Sequence, residues 1–437
     1  MARKIFYFDY AATTPVDPRV FRIMQPYFAK DFGNPSNLYE LGRHAKQAIE
    51  NALQKITGAL NCRLDEFIFT GSATEADNLA ILGVARANRK FGNKIIVSAV
   101  EHKGILSACE ALRKEGFEIV ELPVGEDGLT NPQQLKKLLD KRTILVSITC
   151  ADSETGTIQP INAISKLIAE FRKQKIENRS NKNSTFYFLD SRFPFFHTDA
   201  SQAVLYCDID VQKLGVDLMT LSSHKIYGPK GIGGLYVQQG IDIQPIIYGG
   251  GQQSRLRSGT ENVPGIIGFA EALVLAQKHK KTEASRVKKL RDKLEKGIMK
   301  TIPKVVLNGH PTKRLPNFLN ISILDIEGEA LLLYLDERGI AVGTGSACNS
   351  ESLEPSYVLT ALGRPYEYIH GSLRFTLGKY TKISDINYVL KVLPEIVIKL
   401  RKISPLNLRL DKKEKISLPK AFVGGQTPHF LRKRHAK

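Results

Sequence analysis

The sequence Val-Asp-Leu-Met-Thr-Leu-Ser-Ser-His-Lys-Ile-Tyr-Gly-Pro-Lys-Gly occupies residues 216–231 and joins an apolar run to a polar segment. The apolar part favours a buried β-strand, and Gly228-Pro229 indicates a turn beyond it. Lys225 is therefore predicted to lie just past the end of a strand. A single lysine in that position is most often a solvated surface residue, so its chemistry depends on what the rest of the chain places beside it.

Strand patterns and helix patterns alternate on the amino-terminal side of this stretch. Strands are predicted at 66–70, 94–97, 118–120, 143–148, 195–198 and 216–220. Helices are predicted from apolar residues spaced three and four apart at 43–56, 75–87, 104–115 and 162–173. Strands separated by helices pair in parallel, and such sheets bind ligands at the carboxyl ends of their strands. We therefore expect an α/β fold with functional residues directly after the strands.

The pattern changes near residue 263. Two long helices are predicted at 263–280 and 283–298, and strands at 317–323, 340–342 and 373–376 follow among further helices. This arrangement indicates a second, smaller α/β domain. The polar segment 173–196 is predicted to form a surface excursion between a helix and the next strand.

Composition sets limits on the class of protein. A length of 437 residues with 42% hydrophobic and 24% charged residues is typical of a globular chain of two or three domains and excludes a disordered or collagen-like protein. No apolar run approaches the about 18 residues of a membrane helix, and the amino terminus lacks a secretory signal. Five scattered cysteines without a CxxC pair argue against a disulfide framework or a metal site. We therefore expect a cytoplasmic protein with no membrane contact and no metal.

The net charge of +19 is concentrated in part at the carboxyl terminus. Residues 401–437 hold eleven Lys and Arg against Asp411 and Glu414. This arm can attract acidic partners such as nucleic acid, or it can be a solvated terminus that aids solubility. The second interpretation is favoured, because no aromatic ladder or nucleic-acid-binding pattern accompanies the charge.

A carboxylate follows the predicted strand 195–198, in the motif His197-Thr198-Asp199-Ala200-Ser201-Gln202. Pyridoxal phosphate (PLP) chemistry needs a lysine that forms a Schiff base and an acidic partner for the pyridine nitrogen. Asp199 and Lys225 together therefore indicate PLP more strongly than either does alone. Asp199 can also be a helix N-cap.

Two further segments fit chemistry of this kind. Residues 70–75, Thr-Gly-Ser-Ala-Thr-Glu, lie between a strand and a helix, where backbone N–H groups can bind a phosphate, although Ser72 or Thr74 can simply cap the helix. Residues 345–356 place Cys348 among glycine, serine and acidic residues, with little to bury it. An exposed thiol on a loop can reach a substrate and then a second protein, whereas the other four cysteines are interpreted as packing residues.

Seven motifs, in order, resemble the cysteine desulfurases, which are PLP enzymes of the class V aminotransferase family. The motifs are residues 8–15, 32–36, 101–103, 197–200, 222–231, 257–260 and 345–356. The resemblance extends from about residue 6 to residue 405, and the loop ending at 353–356 is similar to the subgroup that supplies sulfur for iron–sulfur clusters and thiolated tRNA.

The resemblance implies the fold type I of PLP-dependent transferases, with a mainly parallel seven-stranded sheet in the large domain and a smaller α/β domain. The large PLP-binding domain would span 16–262. The small domain would combine 1–15 with 263–405 and carry the Cys348 loop, and 406–437 would be a basic tail.

The resemblance also implies roles for individual residues. Catalysis would fall to Lys225, His102 and Cys348. PLP would contact Ala73, Thr74, His102, Ser153, Asp199, Gln202, Ser222, His224, Lys225 and Thr260. In this scheme Lys225 holds the cofactor covalently, His102 stacks on its ring, Asp199 pairs with the ring nitrogen and Gln202 with the phenolate oxygen. Thr260 would reach the phosphate of the partner subunit, which implies a homodimer with shared active sites.

Substrate binding is implied for Arg374, which would hold the carboxylate with help from Asn34. A planar guanidinium suits this role because it can donate two parallel hydrogen bonds. One departure from the family pattern concerns Asp152-Ser153-Glu154, where the family commonly has Asn-Asn-Glu. The shorter Ser153 is expected to reach its ligand through water.

The implied reaction removes sulfur from L-cysteine, releases L-alanine and leaves a persulfide on Cys348. The sulfur would pass to an iron–sulfur scaffold protein or to a tRNA-thiolation acceptor. Selenocysteine lyase and other class V aminotransferase reactions are alternatives on the same fold, and a non-catalytic partner-binding relative is a third. Aminotransferases need no thiol loop, so residues 345–356 discriminate against them.

Overall fold

A computed structural model describes residues 3–177, 192–344, 355–405, 408–410 and 416–417. The strands, in chain order, are β1 (Phe6–Tyr7), β2 (Phe67–Thr70), β3 (Lys94–Ser98), β4 (Glu118–Leu122), β5 (Thr143–Ser147), β6 (Phe195–Asp199), β7 (Leu218–Ser222), β8 (Gly233–Val237), β9 (Val305–Asn308), β10 (Phe318–Ile323), β11 (Ile340–Ala341), β12 (Ser372–Thr376), β13 (Arg409–Leu410) and β14 (Ile416–Ser417). The α-helices are Pro18–Met24, Pro26–Ala29, Glu40–Leu60, Ala73–Asn78, Val84–Ala87, Lys103–Lys114, Pro132–Leu138, Ile161–Glu177, Val211–Leu214, Val263–Thr301, Gly328–Glu337, Tyr357–Ala361, Tyr366–His370 and Ile383–Ile403.

The largest sheet has seven strands in the order β2-β8-β7-β6-β5-β3-β4. β8 is antiparallel to both of its neighbours, and the other pairs are parallel. This confirms the predicted α/β fold with a mainly parallel sheet. β8 was not predicted; it follows β7 after residues 223–232, a connection that holds a 3₁₀ turn at Ser223–Lys225 and no α-helix.

Helices cover both faces of this sheet. Successive residues of a strand point to opposite faces, so Phe196 and Met219 pack in one apolar cluster and Phe195 and Leu218 in another. Both clusters are buried. This two-sided burial explains why the strands appear in the sequence as continuous apolar runs and not as alternating patterns.

A second sheet is antiparallel, in the order β12-β10-β9. Of its strands, β10 and β12 were predicted and β9 was not. Near it, β1 pairs in parallel with β11, with Phe6 opposite Ile340, and Phe8 is buried in the same apolar cluster as β10 and β12. The first residues of the chain thus pack with its carboxyl-terminal part, while the domain boundaries at 15, 262 and 405 stay a prediction.

The prediction of separate helices at 263–280 and 283–298 was wrong. Val263–Thr301 is one continuous helix of 39 residues. Its first half packs Phe269 and Leu273 against the large sheet, and its last turns pack Leu294 and Ile298 with the second sheet. Because the buried face changes partner midway, the apolar stripe is interrupted by the polar residues 277–286, although no Gly or Pro breaks the helix there.

The excursion predicted over 173–196 is shorter than expected. The helix continues to Glu177, and β6 begins at Phe195. Residues 178–191 lie outside the described part of the chain, as does most of the basic tail. Across the described residues, no helix combines the length and apolar character that crossing a membrane requires.

Gly234 in β8 gives a test of the sheet packing. A Cβ built there would lie 2.2 Å from Cζ of Phe67 in β2, so Gly234→Ala is expected to lower the free energy of unfolding by about 1–3 kcal/mol. Gly58 is the matched control, since it is exposed in the helix Glu40–Leu60 with no atom within 4 Å of a built Cβ. Gly58→Ala should raise that free energy by about 0.5–1 kcal/mol. Urea unfolding of both variants measures the two changes, and equal stability of Gly234→Ala and the wild type would contradict the packing described.

Candidate active site

The predicted site residues gather at one edge of the seven-stranded sheet. Because β2, β3, β5, β6 and β7 run in the same direction, their carboxyl ends share this edge. The residues that follow them are Ala73 and Thr74 after β2, His102 after β3, Ser153 after β5, Asp199 and Gln202 at the end of β6, and Ser222, His224 and Lys225 at the end of β7.

Lys225 and Gln202 converge on the same backbone carbonyl. Lys225 ends a short 3₁₀ turn, and its Nζ donates to the carbonyl oxygens of Ala11 and Ala12, the latter at 2.9 Å. Gln202 Nε2 donates to the carbonyl oxygen of Ala11 at 3.0 Å. The amino-terminal segment therefore lies directly against the lysine, a contact that the sequence did not indicate.

His224 is bound to the same segment. Its Nδ1 lies 3.1 Å from Thr13 Oγ1, and its carbonyl oxygen accepts hydrogen bonds from the Thr14 hydroxyl and N–H. Burial lowers the pKa of His224 to about 4, and the charges of Lys225 and Lys230 act in the same direction. The ring is therefore neutral near pH 7.

Asp199 is buried at the end of β6. Its Oδ1 accepts the N–H of Ser201 at 2.8 Å, and its carbonyl oxygen accepts the N–H of Cys150 at 2.8 Å. The first bond closes a local turn: residues 201–206 form turns and the next helix begins at Val211, so the alternative of a helix N-cap at Asp199 was wrong. It engages one of the two carboxylate oxygens.

His197 lies in the layer beneath Asp199 and is fully buried. Its Nδ1 is 2.9 Å from Ser147 Oγ, and its Nε2 is 3.0 Å from Thr220 Oγ1. Burial lowers the pKa of His197 to about 4, with Asp199 opposing the shift. The three side chains tie β5, β6 and β7 together with a neutral imidazole.

Two more buried carboxyl groups surround this layer. Asp77 Oδ1 lies 3.9 Å from His197 Nε2, and burial raises the pKa of Asp77 well above its ordinary value, with Asp199 adding to the effect. Burial likewise raises the pKa of Glu101 to about 8, although Ser98 Oγ donates to its Oε1 at 2.9 Å. Burial therefore favours the neutral form of both groups, which reduces the negative charge near Asp199.

His102 caps the helix Lys103–Lys114. Its Nδ1 accepts the N–H of Gly104 at 3.1 Å, so in the neutral ring the hydrogen is on Nε2. Burial lowers the pKa of His102; the charge of Asp199 opposes this shift, and the charge of Lys225 adds to it. A Cβ built on Gly104 would lie 3.2 Å from His102 Nδ1 and 3.3 Å from Thr74 Cγ2, so these two predicted residues are neighbours.

Arg374 lies on β12 of the second sheet and is buried. Its Nη2 donates to Asp9 Oδ1 at 2.7 Å, and its Nη1 donates to the carbonyl oxygen of Ser153 at 2.8 Å. Ser153 thus contributes a main-chain contact, which does not depend on its side chain. Arg374 Nε is buried without a hydrogen-bond partner among the described residues.

Two predicted residues are not drawn into this cluster. Asn34 Oδ1 accepts the N–H of Ser36 at 2.9 Å, and among the described residues no hydrogen bond links Asn34 to Arg374. Thr260 is exposed next to Gly259. Its predicted contact is with a partner subunit, so a single chain leaves that role as a prediction.

Cys348 lies outside the described residues, but the segment that carries it is attached on both sides. On the amino-terminal side, Gly343 exchanges two backbone hydrogen bonds with Arg374, at 2.8 and 3.1 Å. On the other side, the Ser356 hydroxyl donates to Glu154 Oε2, and Tyr357 Oη donates to the carbonyl oxygen of Glu101 at 2.8 Å. Residues 345–354 therefore leave and rejoin the described chain beside the site.

Comparison with known proteins agrees with this arrangement. A family model described as Aminotransferase class-V matches residues 6–176 and 192–389. The chain belongs to the class V aminotransferase family. One member named Cysteine desulfurase IscS, from Dictyoglomus turgidum, is 47% identical over 93% of this chain and 97% of its own length.

Solved structures of class V aminotransferases share the fold. A protein titled "NIFS-LIKE PROTEIN" has a TM-score of 0.81 and 34% identity, and the alignment covers 91% of this chain and 100% of that one. SspA, whose structure is titled as a complex with cysteine, has a TM-score of 0.72 and 32% identity, with 86% and 99% coverage.

Class V aminotransferases are PLP-dependent, and the residues of this chain fit that cofactor. The Ser222 hydroxyl is buried without a hydrogen-bond partner in the described part of the chain, and a phosphate oxygen would satisfy it. Ala73 and Thr74 begin a helix whose first N–H groups suit the same phosphate. Lys225 would supply the amine and Asp199 the carboxylate that PLP requires.

The structure adds residues that the sequence analysis did not assign. Asp9 orients Arg374, and the backbone carbonyls of Ala11 and Ala12 hold Lys225. A lone carboxylate directly after the apolar run 5–8 was a signal for Asp9. No pattern in the sequence marks a backbone carbonyl, because every residue has one.

The buried His197 makes stability depend on pH. Its pKa is about 4 in the folded chain against about 6.5 when unfolded, so protons bind the unfolded state preferentially between these values. The contribution of His197 to the free energy of unfolding is fully present above about pH 6.5 and falls as the pH decreases toward 4. Between about pH 7.5 and pH 5 the loss should be about 2 kcal/mol.

His197→Gln removes this titration while keeping hydrogen-bonding groups. The fall in the free energy of unfolding from about pH 7.5 to pH 5 should therefore be smaller in the variant by about 2 kcal/mol. Urea unfolding at the two pH values gives the comparison, and other histidines cancel because they titrate in both proteins. Identical pH dependence would show that His197 is not buried in its neutral form.

Proposed function

We propose that this chain is a PLP-dependent cysteine desulfurase that transfers sulfur from L-cysteine to Cys348. The supporting observation is that both ends of the segment 345–354 are fixed to the cluster that contains Arg374, Glu101 and Glu154. Transamination does not require a thiol nucleophile beside these residues.

Arg374 is proposed to bind the carboxylate of cysteine. Asp9 and the Ser153 carbonyl hold two of its nitrogens, so the guanidinium is oriented before the substrate arrives. Gly343 has no room for a side chain, because a Cβ would lie 2.8 Å from Arg374 Nη2. A pre-oriented guanidinium can form paired hydrogen bonds to a carboxylate with little loss of side-chain entropy.

When bound, PLP would withdraw electrons from the substrate carbon that carries the amino group. Lys225 Nζ is the proposed acceptor of the proton on the substrate Cα, and the carbonyls of Ala11 and Ala12 fix its position. Nδ1 of His102 accepts the Gly104 N–H, so Nε2 is the nitrogen through which the ring is proposed to exchange a proton with the substrate. Burial lowers the pKa of His102, which favours the neutral ring before that exchange.

In the proposed transfer of sulfur, the Cys348 thiol accepts the sulfur atom of the substrate. Its thiolate attacks the substrate sulfur, the carbon–sulfur bond breaks, and the products are L-alanine and a persulfide on Cys348. We propose that the persulfide passes to an acceptor protein for iron–sulfur cluster assembly or tRNA thiolation.

We also propose a homodimer in which Thr260 completes the partner's site. A cytoplasmic location is proposed because it fits the free thiols of Cys62, Cys109, Cys150 and Cys207.

Purified protein loaded with PLP should release sulfide and alanine in equal amounts from L-cysteine and a reductant. Lys225→Ala should lose both the yellow colour and turnover, since the amine that holds PLP is gone. Cys348→Ser should keep the colour and lose sulfide release by at least about a hundredfold. Absorbance spectra together with sulfide and alanine assays provide the measurement.

Two controls sharpen this experiment. Cys62→Ser alters a partly buried thiol in the large core and should retain wild-type turnover. Transamination of an amino acid with a keto acid, measured in parallel, tests the main alternative. Wild-type sulfide release by Cys348→Ser would refute the assignment of the thiol.

The ion pair between Arg374 and Asp9 makes a separate prediction. Asp9→Ala removes the acceptor that orients Nη2, so KM for cysteine should rise roughly tenfold or more while kcat changes less. Asp9→Asn keeps an acceptor and should recover part of the loss. Steady-state kinetics separate KM from kcat.

Asp65 is the matched control for Asp9, because it is also paired with an arginine, Arg63, at 2.9 Å, but both side chains are exposed. Asp65→Ala should leave KM and kcat unchanged. A drop in kcat at constant KM in Asp9→Ala would contradict a carboxylate-binding role for Arg374.

A further inference from the structure

A line of exposed lysines runs along the outer side of the helix Val263–Thr301, in its second half. The line consists of Lys278, Lys281, Lys289, Lys293, Lys296 and Lys300. Because an α-helix turns by about 100° per residue, these positions fall within a sector of about 120°. At a rise of about 1.5 Å per residue, they cover about 33 Å of the helix axis. We call these six residues the lysine line.

The acidic residues of the helix do not neutralise the lysine line. The helix contains four of them, and each forms an ion pair with a basic residue outside the line. The pairs are Glu271 with Lys55, Glu283 with Arg286, Asp292 with Lys288 and Arg291, and Glu295 with Arg314. Among the described residues, no ion pair includes a member of the lysine line. Its six positive charges are therefore available to a partner.

The surroundings of the lysine line are also positive. Asp292 lies within the same sector, but Lys288 Nζ and Arg291 Nε each lie 2.7 Å from one of its oxygens. The helix Ile383–Ile403 packs alongside, where a Cβ on Gly297 would lie 2.5 Å from Leu390 Cδ2. Beyond this contact, the exposed charged residues of that helix are Lys391, Glu395, Lys399 and Lys402. Neither helix presents an acidic surface that would repel a polyanion.

A straight row of separate cations suits a rigid partner that repeats a negative charge. Duplex DNA carries one negative charge per about 1.7 Å of its axis, and a length of about 33 Å, or about ten base pairs, is straight. Each lysine that neutralises a phosphate releases counterions, so the contacts add up even though each is exposed to solvent.

Other polyanions fit the lysine line less well. Within its sector, no aromatic residue is present on which the bases of a single strand could stack. The sector also has no side-chain amide and no unpaired carboxylate to accept a hydrogen bond from the 2′-hydroxyl that distinguishes RNA. Its exposed large apolar side chain is that of Met299, which is too little for insertion into a lipid surface.

We propose that the lysine line is a docking surface for duplex DNA, which it binds through phosphates and without regard to base sequence. The opposite side of the helix is packed into the protein through Leu294 and Ile298, so the helix cannot enter a groove and lies along the DNA backbone. This inference is independent of the proposed desulfurase reaction, because no member of the lysine line belongs to the active site.

The test measures the fluorescence anisotropy of a labelled DNA duplex of about 20 base pairs with the full chain, between about 50 and 200 mM salt. The variant combines Lys281→Gln, Lys289→Gln, Lys293→Gln and Lys296→Gln, which removes four phosphate contacts. The plot of the logarithm of the association constant against the logarithm of salt concentration should become less steep by about 3–4. At about 100 mM salt, the affinity should fall at least about tenfold.

A matched control separates the position of the charges from their number. Four lysines on other helices, Lys46, Lys114, Lys136 and Lys137, are also exposed. Changing all four to Gln lowers the net charge by the same amount, and the affinity and its salt dependence should change much less. Circular dichroism establishes that both variants fold, and Lys289→Gln alone, which should reduce the slope by about 0.9, gives a second measurement.

Three results would overturn the proposal. An unchanged slope in the lysine-line variant would mean that the duplex binds elsewhere, such as the basic residues 401–437. Equal losses in the two quadruple variants would mean that net charge alone attracts the DNA. Tighter binding to an RNA duplex of the same length, or to vesicles containing phosphatidylserine, would assign the surface to another partner.

Discussion

Parallel pairing is the constraint on which this structure depends. Six strands of the large sheet run in one direction, so the chain must return after each of them, and every return begins at the same edge. Residues far apart in the chain, such as Thr74 and Asp199, which are 125 positions apart, are thereby brought to the same edge. β8 runs in the opposite direction, so its first residue, Gly233, lies beside Ala73. A Cβ on Gly233 would lie 2.8 Å from the Ala73 nitrogen, so this position has no room for a side chain.

The amino-terminal segment 8–14 closes this edge from the other side. It bonds to β12 through Phe8 and Thr376, to Arg374 through Asp9, and to Lys225 through two carbonyls. One short segment, with a turn at residues 10–12, therefore positions both the proposed substrate-binding guanidinium and the proposed cofactor-binding amine. Because this segment is bonded to both sheets, a displacement of either sheet would shift Arg374 relative to Lys225.

Charge at the site is controlled by burial. His197, Asp77 and Glu101 lie in low-dielectric surroundings where each favours its neutral form, while Asp199 lies among them. Holding the neighbours neutral avoids repulsion between buried carboxylates. The same physics acts on two of the cysteines, because burial raises the pKa of Cys62 and Cys109 to about 12 and makes both poor nucleophiles.

The sequence alone determined the alternation of strands and helices, the parallel sheet, and the motifs around Asp199 and Lys225, because these follow from local apolar periodicity and from short contiguous patterns. It predicted two helices where Val263–Thr301 is one, because the apolar stripe of this helix packs against a different sheet in each half. Nor could it find the contact of Asp9 with Arg374, which joins residues 365 positions apart. Such contacts depend on how the layers pack, and only the tertiary structure decides which side chains and carbonyls meet.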